Sequence, residues 1–173
     1  MNRLWSPWRS EYIASTEERD AGECFLCKCA SSTEFNTDNL VVAMYEHTFV
    51  VLNRYPYNAG HLLVAPREHQ GDLIALRQEQ AHELIDVLKL SLRITQDVLS
   101  PHGCNVGANL GRVAGAGVPN HLHLHTVPRW SGDTNFMPTI ADTKVVSESM
   151  NELWQKFRDA FNGCLLYTSP SPR

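Results

Sequence analysis

The sequence predicts an α+β protein, and three observations carry that expectation. Short runs rich in β-branched, aromatic and other apolar residues recur at 40–45, 48–53, 61–65 and 104–110, the composition of strands. Between the third and fourth lies 72–100, where Ala81, Leu84, Ile85, Leu88, Leu92, Thr95, Val98 and Leu99 recur at helical spacing, with Glu79, Glu83, Asp86, Lys89 and Arg93 on the opposite face. Such a stripe is the side of a helix that packs on a sheet. Third, Asn120-His121-Leu122-His123-Leu124-His125-Thr126-Val127 alternates imidazole with leucine. A period of two belongs to a half-buried strand, with Leu122 and Leu124 in the core and the histidines on the other face.

Length and charge narrow the possibilities. At 173 residues one domain over 1–163 is the default, long enough for a core. A formal net charge of −4 gives no basic footprint, so a nucleic acid polymer is not an expected partner. The stretch 1–9 lacks the apolar run of a signal peptide, and nothing approaches the roughly 18 consecutive apolar residues of a membrane span. No membrane partner and a cytoplasmic location are therefore expected. In that compartment the five cysteines are thiols or metal ligands, not disulfides.

Taken in order, 1–23 mixes Trp5, Trp8 and Tyr12 with Arg3 and Arg9, a terminus expected to pack on its own domain or on a subunit partner. Cys24-Phe25-Leu26-Cys27, with Cys29 close behind, is half a zinc site, and a structural site needs four ligands. Distant histidines must supply the rest, with His69 and His121 the candidates; the alternative is a set of reduced thiols in a tight turn. Two strands then meet at a Glu46-His47 turn. Residues 54–60 hold proline, asparagine and glycine and read as a second turn, after which 61–65 returns as a strand. Pro101-His102-Gly103 stops the helix, and Gly107 marks a bulge or close approach inside the next strand. The loop 111–119, with Gly111, Gly115 and Gly117, can present backbone N–H groups to phosphate oxygens. Arg129, ending the histidine strand, either neutralises a phosphate or sits at the surface. Ser149-Met150-Asn151-Glu152 has capping-box spacing. It opens a last helix, 147–163, whose apolar face is Leu153, Trp154, Phe157, Ala160 and Phe161. Residues 164–173 resemble an in-frame translation of a sequencing-library adapter and are set aside as an artefact.

The segment His121 to Val127 resembles the His-φ-His-φ-His-φ-φ pattern (φ apolar) of the histidine-triad (HIT) nucleotide hydrolases and transferases. The stretches 53–64, 101–109 and 128–136 are similar to the same family, most of all to its bacterial branch acting on diadenosine tetraphosphate. The likeness runs over about 38–137, with 1–37 as an N-terminal extension. It implies a five-stranded antiparallel sheet carrying the long helix on one face, continued across a homodimer. It implies that Asn53 bonds the ribose hydroxyls, that His61 supports the triad from behind, and that Asn109, Gly115 and Gly117 border the substrate. It also implies a structural zinc on Cys24, Cys27, His69 and His121, because Pro66-Arg67-Glu68-His69 fits the family's ligand turn. Two departures are Val118, where many members carry Ser or Thr, and one extra residue between Asn109 and His121.

The chemistry this implies is cleavage of a phosphoanhydride in a dinucleoside polyphosphate. Neutral imidazole dominates at pH 7 and is a competent nucleophile. His123 then attacks the α-phosphorus, a backbone carbonyl on the neighbouring strand holds its other nitrogen, His125 donates to phosphate, and His121 orients the row. Water resolving the nucleotidyl-histidine gives a hydrolase; inorganic phosphate gives a phosphorylase. The alternatives are a nucleoside phosphoramidase or mononucleotidyl hydrolase, a zinc-stabilised nucleotide-binding module without turnover, and a metal protein using the triad as ligands.

Overall fold

A computed structural model describes residues 24–133 and 149–165. The N-terminal aromatics, residues 134–148 and residues 166–173 lie outside the described residues. The elements are α1 (Phe25–Ala30), β1 (Val41–Met44), β2 (Thr48–Leu52), β3 (Leu62–Pro66), α2 (Gln78–Leu99), β4 (Gly103–Ala108), β5 (Leu124–Arg129) and α3 (Met150–Leu165), with a 3-10 turn at Arg112–Ala114. The strands form one antiparallel sheet in the order β1-β2-β3-β5-β4, as the sequence implied.

α2 packs on β2, β3 and β5, and α3 packs on β1 and α2. Between α2, α3 and the sheet lie Val50, Leu62, Val64, Leu84, Ile94, Leu153, Phe157 and Phe161, all 1% exposed or less. Burying a Leu- or Phe-sized side chain is worth roughly 1.5–3 kcal/mol, so this layer is the main source of stability. Gly60 enters β3 at φ +74°, and a Cβ there would run into Leu99 and approach Phe157. A side chain there is strained by conformation and would force the Leu99 side chain to shift.

The two edges of the sheet are treated differently. Along β1, Trp154 Nε1–H donates to the Val41 carbonyl at 3.0 Å and the Arg158 guanidinium to the Val42 carbonyl at 2.8 Å. At the other edge, β4 is exposed through most of its length.

Several elements differ from the sequence reading. α2 begins at Gln78 rather than 72, because the Asp72 carboxylate accepts the Ile74 N–H at 2.9 Å and holds a turn; the Gln80 side chain then closes the first helical turn on the Arg77 N–H. The buried face of α2 is rotated. Leu84 and Thr95 are inside as expected, but Ile85 is 50% exposed while Gln80, Val87, Ser91 and Ile94 are buried. The histidine strand starts only at Leu124, so His121 and His123 precede the ladder. The cysteine segment is a short helix, not a tight turn. α3 runs to Leu165, two residues into the stretch set aside as artefact, and Cys164 packs against the core. A Cβ on Gly107 would meet nothing within 4 Å, so that glycine borders open space, not a close approach. Among the described residues no helix is long and apolar enough to cross a membrane.

Candidate active site

The histidines converge where β3 and β5 meet, and hydrogen bonding fixes what each ring nitrogen can do. The Tyr57 N–H donates to His61 Nδ1 at 3.1 Å, and the Asn53 amide lies 3.2 Å from the same atom. Because Nδ1 accepts, neutral His61 carries its proton on Nε2. That N–H donates to His125 Nδ1 at 2.9 Å, so the proton of neutral His125 sits on Nε2. Tyr57 stacks on both rings, with centroids 4.9 Å from His61 and 5.9 Å from His125. His61 thus lies behind the triad, fully buried.

His123 is set the opposite way. Its Nδ1–H donates to the His121 carbonyl at 2.8 Å, which leaves Nε2 with a lone pair. The holding carbonyl belongs to its own chain two residues back, not to the neighbouring strand as the sequence reading had it. This follows from the late start of β5: a residue before the ladder turns its ring onto local backbone. Burial holds the His123 pKa below the ordinary histidine range, against the opposing effect of the His121 carbonyl. The ring is therefore neutral at pH 7. The His123 and His125 centroids are 5.0 Å apart.

His121 joins the triad to a second cluster. Its Nε2–H donates to the Pro66 carbonyl at 2.8 Å, which turns Nδ1 toward Cys24 Sγ at 3.4 Å and Cys27 Sγ at 3.5 Å. Cys27 Sγ also lies 3.1 Å from His69 Nδ1, and all four donor atoms fall within 4.8 Å of one another. A tetrahedral ion with Zn–S near 2.3 Å and Zn–N near 2.05 Å has S···N edges of about 3.6 Å, so the donor set and its dimensions fit a closed structural site. Burial and the neighbouring Cys24 push the Cys27 thiol up to about 11; metal binding must displace that proton. Cys29 takes no part: it is buried, and its thiol donates to the Asn39 carbonyl.

A pocket of about 520 Å³ opens on the face of β4 and β5 away from the helices, between Tyr57, Asn58, Asn105, Asn109, His125 and Arg129. That volume is within the range for a nucleotide-sized ligand. At its far end Asp133 receives Arg129 through two bonds, at 2.7 and 2.9 Å, and accepts the Asn58 amide at 2.9 Å. Arg129 also donates to the Asn105 side chain, so it is a clamped member of the pocket wall, not a loose surface charge.

The sequence-selected substrate residues fall in different places. Asn109 lines the pocket and donates to the Gly115 carbonyl at 3.2 Å. The Gly115 N–H is taken by the Arg112 carbonyl, and neither Gly115 nor Gly117 is a lining residue. Asn53 caps its own turn, its side-chain oxygen accepting the Tyr55 N–H. Tyr57, Asn58, Asn105 and Asp133 had not been singled out. All four lie inside family-like stretches, but which members of a stretch face one pocket depends on pairing that the stretch does not display.

Residues 34–132 match the HIT domain family, so the chain belongs to the HIT family and, like that family's hydrolases and transferases, is an enzyme. It is 36% identical over 156 residues to the AP-4-A phosphorylase of Mycobacterium tuberculosis, covering 88% of this chain and 80% of that protein. It is 35% identical over 106 residues to the adenosine 5'-monophosphoramidase hnt1 of Schizosaccharomyces pombe, covering 61% of this chain and 74% of that one. Among solved structures, a hypothetical histidine triad nucleotide-binding protein of Sulfolobus tokodaii superposes with a TM-score of 0.65 at 26% identity, over 81% of this chain and 93% of that one.

Proposed function

We propose that the chain cleaves dinucleoside polyphosphates of the diadenosine tetraphosphate type through a nucleotide carried on His123. The observation that carries this is the 2.8 Å bond from His123 Nδ1–H to the His121 carbonyl, which reserves the Nε2 lone pair for attack. In the first step that lone pair forms a bond to the α-phosphorus and the phosphoanhydride P–O bond breaks. The nucleoside polyphosphate leaves with the electron pair, and the His121 carbonyl stabilises the ring as it becomes cationic. His125, its Nε2–H oriented by the Tyr57–His61 relay, donates to a phosphate oxygen. In the second step an oxygen of water or inorganic phosphate attacks phosphorus and the N–P bond breaks.

Asn109 and the clamped Arg129 give this reading its substrate wall. Gly115 and Gly117 support it indirectly, shaping the loop to which Asn109 is tied, and Asn53 does so by holding His61. Cys24, Cys27, His69 and His121 would hold zinc, which supplies a structural cross-link and no open position for substrate. A homodimer joined through β4 is part of the same reading. β1 is capped by α3, whereas among the described residues β4 pairs on one side only, beside Val106 and Leu110, each about half exposed, and bare edges are where sheets extend.

The identity to AP-4-A phosphorylase favours phosphate as the second-step nucleophile. The likeness to a monophosphoramidase keeps one other reading in play, a P–N bond cleaved by the same histidine. Product analysis on diadenosine tetraphosphate separates them. ADP plus ATP only when phosphate is added supports a phosphorylase; AMP plus ATP without it supports a hydrolase. Turnover of adenosine phosphoramidate alone would replace the dinucleotide reading.

A further inference from the structure

We infer that the Cys24–Cys27–His69–His121 cluster is a positioning device for the His123 nucleophile, and not merely a staple for the fold. The inference rests on the zinc reading above. Its basis is how residues 118–123 are held. The β3–β5 ladder ends at the Val64↔Leu124 pair, so the sheet does not fix the nucleophile. What holds this segment instead is the end of β3 and the turn that follows it. The Pro66 carbonyl accepts from His121 Nε2, and the Gln70 carbonyl accepts the Leu122 N–H at 2.8 Å.

The same turn carries His69, so the metal donors bridge the two segments that must stay in register. His121 faces both ways: its ring joins the cluster, while its main-chain oxygen fixes the His123 tautomer. Any rotation of the His121 peptide that follows loss of the ion therefore moves the acceptor of the His123 proton. Independent support comes from Gly71. A Cβ there would lie 2.7 Å from the Pro119 oxygen and 2.9 Å from Asn120 backbone atoms. The turn is pressed against the approach to the triad, leaving no slack between them.

Two preparations test this: protein stripped of zinc by a chelator, and zinc-loaded Gly71→Ala, which keeps every ligand but pushes the turn off Pro119 and Asn120. The readout is the ¹⁵N signal pair of the His123 ring by NMR, with kcat and KM alongside. In loaded wild type His123 is expected as a single Nδ1–H tautomer. Stripping should give mixed tautomers while the β2–β3 amide signals stay in place, and kcat should drop roughly ten- to hundredfold, the usual scale for an outer support, with KM changed by less than about twofold. Gly71→Ala, which keeps one zinc per chain, should hold the single Nδ1–H tautomer because its cluster is intact; if stripping unfolds the protein, this variant decides. Mixed tautomers in zinc-loaded Gly71→Ala, or an unchanged tautomer in stripped wild type, would overturn the inference. Because the NMR signal needs no substrate, a protein inert toward diadenosine tetraphosphate but with a zinc-dependent His123 would refute the substrate assignment alone.

Discussion

The two ends of the histidine row are built in opposite ways. At one end His121 is sealed, its ring fully buried and joined to Pro66, Cys24 and Cys27. At the other, His125 faces the pocket and is backed by a relay of Tyr57 and His61. His123 lies between them, with one nitrogen fixed by the sealed end and the other directed by exclusion toward reaction. The contrast teaches that the triad is not three equivalent imidazoles. On the proposed mechanism one end sets geometry, the middle reacts, and the far end meets substrate.

Substitutions can break this contrast, and the middle residue should give the largest effect. His123→Ala is expected to lower turnover by roughly 10⁴-fold or more, the scale for a covalent nucleophile, with zinc content by metal analysis unchanged. Loss of zinc together with activity would mean the triad is a chelate. At the sealed end, Cys27→Ser should remove the metal and lower kcat roughly ten- to hundredfold. At the open end, His61→Ala removes a fully buried ring and the acceptor of the part-buried Tyr57 N–H, a destabilisation of about 1–3 kcal/mol by chemical denaturation. It should also lower kcat about tenfold, because His125 loses its oriented proton. The smallest effect belongs to the pocket rim. Asp133→Asn should change stability by less than about 1 kcal/mol, since the Arg129 partner is half exposed, and should raise KM more than it lowers kcat.

The two sheet edges offer a parallel contrast. Val106→Lys on bare β4 is expected to give a monomer by light scattering, whereas a lysine at buried Val41, under α3, should instead unfold the chain. A Val106→Lys protein that remains dimeric would remove β4 as the interface.

Much of this was legible in the sequence because period and composition report directly on burial. The strands of 40–65 and the leucines of the triad fell where their patterns put them, and Leu122 and Leu124 are buried. The Cys24, Cys27, His69 and His121 set also came together as expected. What stayed hidden were cases where a polar group meets its partner at short range. Ser91 is buried on α2 because its hydroxyl bonds the Val87 carbonyl one turn back, and Gln80 because its side chain reaches Glu68 and the Arg77 N–H. A periodicity count treats both as surface, and so rotates the helix. The alternation through His121 and His123 looked like strand, yet those residues are held by the Pro66–Gln70 turn, a contact across more than fifty positions. The Arg129–Asp133–Asn58 clamp was illegible for the same reason: Asn58 and Asp133 are 75 residues apart.

The most direct test of the central claim is intact-mass analysis of the enzyme quenched during turnover of diadenosine tetraphosphate. The account predicts one adenylate per chain, located by peptide mapping to His123 and absent from His123→Ala. Turnover with no adenylated enzyme, or adenylate on another residue while His123→Ala stays active, would contradict it.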